Sequence, residues 1–144
     1  MKSKFIPYYL GIAYETAKLS SANRAKVGAI IVKDDRIISI GYNGMPSGWD
    51  NECEEVVPPN EWVEFEQLKT KPEVLHAETN AIAKLAKSSE SGCGATMFVT
   101  HAPCIDCAKI VYQSGIDTVY YKNDYRSTQG LEFLTKSNVD VIKV

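Results

Sequence analysis

Two short stretches, His76-Ala77-Glu78 and Pro103-Cys104-Ile105-Asp106-Cys107, hold the residue types needed for metal-assisted hydrolysis. Zinc favours tetrahedral coordination by His nitrogen and Cys thiolate, and a catalytic zinc keeps three protein ligands so that its fourth position can hold water. His76, Cys104 and Cys107 make such a set. Glu78 is then a neighbouring carboxylate outside the ligand set, free to move protons.

The spacing narrows the geometry. Cys104 and Cys107 are three apart, so at the first turn of a helix both sulfurs lie on one face, where the helix N-terminus also favours thiolates. His76 and Glu78 are two apart and point to different sides of a regular helix. Both can serve one centre only if it lies off that helix's N-terminal end. The sequence therefore predicts two helices aimed end-on at one metal.

The elements that must position these residues can be read in chain order. Tyr8, Tyr9, Ile12, Ala13, Ala17 and Leu19 recur near helical spacing and predict an amphipathic helix over 6–19, with Pro7 tolerated in its first turn. VGAIIV and RIISIGYNG, separated by KDD, read as a hairpin, and the almost continuously apolar VGAIIV reads as a central strand buried on both faces. Residues 44–60, rich in Gly, Pro and Asn, predict a long loop, and EWVEFEQLK a short helix after it. A helix follows from Ala77 to about Lys87, then the strand ATMFVT, the helix CIDCAKIVYQSG closed by Gly115, the strand TVYYKND, a helix over 127–136 and a last strand, VDVIKV. Strand–helix–strand alternation implies right-handed crossovers and a largely parallel sheet with helices on both faces.

Composition bounds the function. The chain has 144 residues, 44% hydrophobic and 24% charged, which fits a single domain over 1–144. A net charge of -2 and pI near 5.7 argue against nucleic-acid backbone as a partner. The N-terminus MKSKFIPYYL lacks an apolar signal core and no stretch reads as a membrane helix, so a cytoplasmic protein is expected. A CxxC in such a chain binds metal or does redox chemistry more often than it forms a structural disulfide, and Cys53 and Cys93 are expected to be free thiols.

HAETNAI followed by PCIDCAK resembles the zinc-dependent cytidine deaminase superfamily, whose H-x-E and P-C-x-x-C signature these residues carry. GYNGMPSG at 41–48 and QSGI at 113–116 narrow the resemblance to the deoxycytidylate deaminases, over roughly residues 8–126. It implies a three-layer α-β-α fold around a mixed sheet of about five strands. It also implies one Zn2+ per chain and hydrolytic deamination of dCMP to dUMP and ammonia, with dUMP feeding dTTP synthesis. A zinc-bound water has its pKa lowered to about 7, and Glu78 would shuttle its proton to ring N3 and the leaving amine. By the same resemblance Asn43 contacts the deoxyribose hydroxyl, and Ala77 and Tyr125 contact substrate. Lys122 and Arg126 could add charge for the phosphate. The family is typically a homohexamer activated by dCTP and inhibited by dTTP, with Mg2+, at a site near GYNG, which marks Gly41, Tyr42 and Gly44 and, just before the first strand, Arg24 and Lys26.

Other readings of the same residues remain at this stage. CxxC could be a redox pair, which leaves His76 and Glu78 without a joint role. A structural zinc would need a fourth ligand from His101, Cys53 or Cys93. His101 otherwise reads as a pocket-wall or surface residue, and with only two His in the chain a second zinc is not expected. Asn43-Gly44 could be only a turn, and Lys122, Arg126, Arg24 and Lys26 ordinary surface charges. Deamination of another nucleoside, nucleotide or RNA base, or a non-catalytic zinc module, are the alternative functions.

Overall fold

The computed structural model describes all 144 residues. The chain runs α1 (Phe5–Ala17), β1 (Gly28–Lys33), β2 (Arg36–Tyr42), β3 (Glu54–Val57), β4 (Gln67–Thr70), α2 (Ala77–Ala86), β5 (Thr96–His101), α3 (Ile105–Gln113), β6 (Thr118–Asn123), α4 (Gln129–Lys136) and β7 (Asp140–Lys143). Five strands form one mixed sheet in the order β2-β1-β5-β6-β7. Asp34 and Asp35, at φ 51 and 56, make the two-residue turn between β1 and β2, a geometry whose twist suits a tight hairpin.

VGAIIV becomes β1, flanked by β2 and β5, with Ala29, Ile30 and Ile31 fully buried. The sheet is parallel only in its second half: β1 pairs antiparallel with both β2 and β5, whereas β5-β6-β7 are parallel and joined through α3 and α4. The expectation of a largely parallel sheet is corrected accordingly, because βαβ alternation begins only at β5. Side chains alternate between two cores. Ile30, Val32 and Phe98 pack on α1 through Tyr9, Leu10 and Ala13. Ala29, Ile31, Met97, Val99 and Val119 pack on the other face against Ala81 and Leu85 of α2, Ala108 and Val111 of α3 and Leu134 of α4. One helix thus covers one face and three cover the other.

The segment expected as a loop and a short helix is instead a separate antiparallel hairpin, β3 with β4. Trp62 and Phe65, the aromatic residues of EWVEFEQLK, are 85% and 65% exposed, so no apolar stripe is buried there to hold a helix together. The hairpin's ends are fixed instead. Gly44 and Leu75 exchange backbone hydrogen bonds of 3.1 and 2.8 Å, and the Asn23 and Arg24 amides donate to Glu54 Oε1 at 2.8 and 3.1 Å.

Candidate active site

His76 is the extended N-cap of α2, and Cys104 the extended N-cap of α3, where its Sγ accepts the Cys107 N–H at 3.5 Å. Both helices therefore present their N-terminal ends to one point, which is how residues two and three apart come to share a centre. His76 Nδ1 lies 3.2 Å from Cys107 Sγ and 3.6 Å from Cys104 Sγ, and the three ligand atoms fall within 4.8 Å of one another. A tetrahedral zinc with usual bond lengths separates a His nitrogen from a Cys sulfur by about 3.5 Å, so these residues fit the ion. His101, Cys53 and Cys93 are not in the cluster. All four cysteines are unpaired, Cys53 buried and Cys93 exposed.

The electrostatics suit a divalent cation. Hydrogen bonding from the Cys107 thiol, and secondarily from His76, holds the Cys104 thiol down at about 4. Cys107 is pushed up by its hydrogen bond to Cys104 and by burial, so two sulfurs share one proton that a cation would displace. The hydrogen bond to Cys104 raises His76. Glu78, 5% exposed, is raised by burial, which favours its protonated form.

Beside this cluster lies a cavity of about 310 Å³ whose wall includes His76, Ala77, Glu78, Asn43, Tyr125 and Arg126. Ala77 opens α2, so its backbone N–H has no partner within the helix. The Arg126 guanidinium lies 5.4 Å from the centre of the Tyr125 ring. Lys122 does not reach the cavity. It is exposed, and strand alternation puts it on the face opposite the inward-packed Tyr121.

Asn43 does not have a positive φ, so it is not the left-handed residue of an Asn-Gly turn. Its Oδ1 accepts the Val27 N–H and its Nδ2 donates to the Ala25 carbonyl, both at 2.8 Å, so the amide staples the end of β2 to the approach of β1. One N–H and one lone pair of this amide remain for a ligand. Among the residues marked by the effector resemblance, Arg24 lines this same cavity and Lys26 does not. Gly41 is buried against α2, where a Cβ would lie 2.5 Å from the Ala81 nitrogen. Tyr42 offers its carbonyl to Asn80 Nδ2, and Gly44 pairs with Leu75.

Sequence reasoning missed the hairpin's share of the wall, Glu54 and Thr70, with Arg24 donating to Thr70 Oγ1 at 3.2 Å. Strand β3 has no buried alternation that could have announced it. His101 also lines the cavity, as a wall residue rather than a ligand.

Residues 3–123 match the family model described as the cytidine and deoxycytidylate deaminase zinc-binding region. The chain is 39% identical over 119 residues to the deoxycytidylate deaminase of Homo sapiens, covering 81% of this chain and 64% of that protein. It is 37% identical over 123 residues to the deoxycytidylate deaminase of Mycobacterium phage D29, covering 81% and 93%. Among solved structures, dCMP deaminase from the cyanophage S-TIM5, in complex with dCMP and dUMP, superposes with a TM-score of 0.89 at 43% identity, covering 100% of this chain and 99% of that one. The chain spans less than two thirds of the length of the first curated relatives, 60 to 64%.

Proposed function

The chain belongs to the cytidine and deoxycytidylate deaminase zinc-binding family, and from that membership we propose that it hydrolyses dCMP to dUMP and ammonia. The observation that carries this reading is the convergence of His76, Cys104 and Cys107 within 4.8 Å at the wall of a cavity that Glu78 also lines. His76, Cys104 and Cys107 would hold a zinc ion, which would supply an activated water at neutral pH.

The chain's own groups do the rest. Glu78 takes one proton from the attacking water and delivers it to N3 of the cytosine ring, then takes the second from the hydroxyl now on C4 and delivers it to the amine, so that ammonia leaves and C4 keeps the oxygen as a carbonyl. Its burial supports this role, since desolvation raises the carboxyl group's affinity for a proton above that of an exposed glutamate. The free N–H of Ala77 is a donor for the base, and the remaining valences of Asn43 serve the deoxyribose hydroxyl. Arg126, stacked near Tyr125 at the cavity wall, holds the 5'-phosphate by charge-assisted hydrogen bonds.

The finer parts of this function are supply of dUMP for dTTP synthesis in the cytoplasm, assembly as a homohexamer, and regulation by dCTP as activator and dTTP as inhibitor, with Mg2+. Their support is the resemblance carried by GYNG. One contact offers a route for regulation: Gly44 is hydrogen-bonded to Leu75, the residue before His76, so a shift of the GYNG loop reaches a metal ligand. An effector must then bind the two loop arrangements with different affinity.

The test is an absorbance assay of the zinc-loaded protein with dCMP, cytidine, dCTP and adenosine. Turnover confined to dCMP supports the reading. Turnover of cytidine or adenosine in preference to dCMP, or none at all, overturns it.

A further inference from the structure

We propose that His101 is a specificity-determining residue of the cavity: a neutral imidazole, protonated on Nε2 because Thr100 occupies Nδ1, that donates a hydrogen bond to an acceptor oxygen of the bound nucleotide. The inference rests on the nucleotide reading above and deepens it.

Thr100 and His101 end β5, and alternation sends their side chains to opposite faces, His101 to the one that carries α2 and α3. Thr100 is completely buried. Its Oγ1 accepts the Gly28 N–H at 3.2 Å and lies 2.9 Å from His101 Nδ1, and it has no other partner. A buried hydroxyl must place its own proton. Here the only acceptor within reach is Nδ1, so the Thr100 O–H donates to it. Nδ1 is then an acceptor without a proton, and a neutral imidazole must carry its single N–H on Nε2. Burial lowers the His101 pKa, in keeping with the neutral form. With Nδ1 turned to the strand, the ring edge left to line the cavity is the one that bears Nε2–H.

Such a donor has a definite use. The wall already offers guanidinium groups, Arg24 and Arg126, which bind any anion, and the carboxyl groups of Glu54 and Glu78, which cannot donate when ionised. A neutral fixed donor adds selection by position rather than by charge. The acceptors on a cytosine nucleotide are the base O2, the sugar oxygens and the phosphate oxygens. Thr100 is a positioning residue in this scheme, since it acts through His101.

The experiment uses zinc-loaded protein and three variants, His101→Gln, His101→Leu and Thr100→Val. Gln can place an amide N–H near the position of Nε2, whereas Leu keeps bulk and removes the donor. The affinity for dUMP, measured by calorimetry, should fall about 5- to 10-fold in His101→Leu and be largely restored in His101→Gln, the range expected for one neutral hydrogen bond. Turnover of dCMP and deoxycytidine then identifies the acceptor: a loss confined to dCMP assigns it to the phosphate, and equal losses to the base or sugar. Long-range proton–nitrogen NMR of the imidazoles, assigned with His101→Gln, should show His101 protonated at Nε2 alone and a mixture of tautomers in Thr100→Val. Observation of Nδ1–H in the unmodified protein overturns the inference, as does His101→Leu binding dUMP as tightly as the parent. A parent protein that neither turns over dCMP nor binds dUMP overturns the functional reading, and this inference with it.

Discussion

Gly130 of α4 is in backbone contact with Cys104 at the start of α3. A Cβ at position 130 would meet the Cys104 carbonyl oxygen at 2.9 Å, and the Pro103 carbonyl oxygen closer still. The metal-bearing turn is therefore seated directly on a neighbouring helix. Gly130→Ala sets two effects against each other. Helix propensity favours Ala by about 1 kcal/mol, while overpacking against backbone costs about 1–3 kcal/mol. The clash should win. We expect a lower melting temperature and faster loss of zinc to a chelator, measured side by side with the parent protein.

Metal content should be about one zinc per chain. Cys104→Ser and His76→Ala each remove one of three protein ligands and should lose both metal and activity. Elemental analysis checks this. Two zincs per chain would count against the single site.

Glu78→Gln should retain zinc and fold but lower turnover by at least about 10²-fold, the lower bound for removing a general acid–base group. Circular dichroism and zinc content establish that the variant is intact, and steady-state kinetics give the loss. Turnover near that of the parent would remove Glu78 from the chemistry.

Arg126→Ala should lower kcat/KM for dCMP about 10-fold or more while leaving deoxycytidine within about 2-fold, since a charge-assisted contact to phosphate is absent from the nucleoside. Equal losses on both would assign Arg126 to the frame of the cavity.

Asn43→Ala should destabilise the fold by about 1–3 kcal/mol, because it strips partners from the Val27 N–H and the Ala25 carbonyl. Denaturant melts measure this independently of activity. A variant as stable as the parent but weaker for nucleotide would make Asn43 a ligand contact alone.

The ligand triad and Glu78 were legible because their signal is local and rare: one CxxC, one HxE and only two histidines in the chain. The central strand was legible from its unbroken apolar run. The β3–β4 hairpin was not, because Glu55 and Val56 are both exposed and no burial period marks either strand. Lys122 could not be set aside by parity alone, because its neighbours Tyr120 and Tyr121 pack on opposite cores and the sequence does not say which face carries the cavity. The double staple of Asn43 depends on backbone groups of Ala25 and Val27, whose positions follow only from strand pairing. The orientation of the His101 proton likewise required the Gly28–Thr100 contact across β1 and β5.

Because Gly44 and Leu75 are hydrogen-bonded to each other, residues 45–74 form a loop whose two ends are already joined before the hairpin within it is considered. Closing a flexible loop costs only about 0.6 kcal/mol more for each doubling of its length. Insertions or deletions at the hairpin's exposed tip are therefore cheap, and the His76 side of the clasp does not register them. The hairpin residues at the cavity wall, Glu54 and Thr70, are paired with each other at its base, so a change of length at the tip leaves the wall and the metal ligands alike in place.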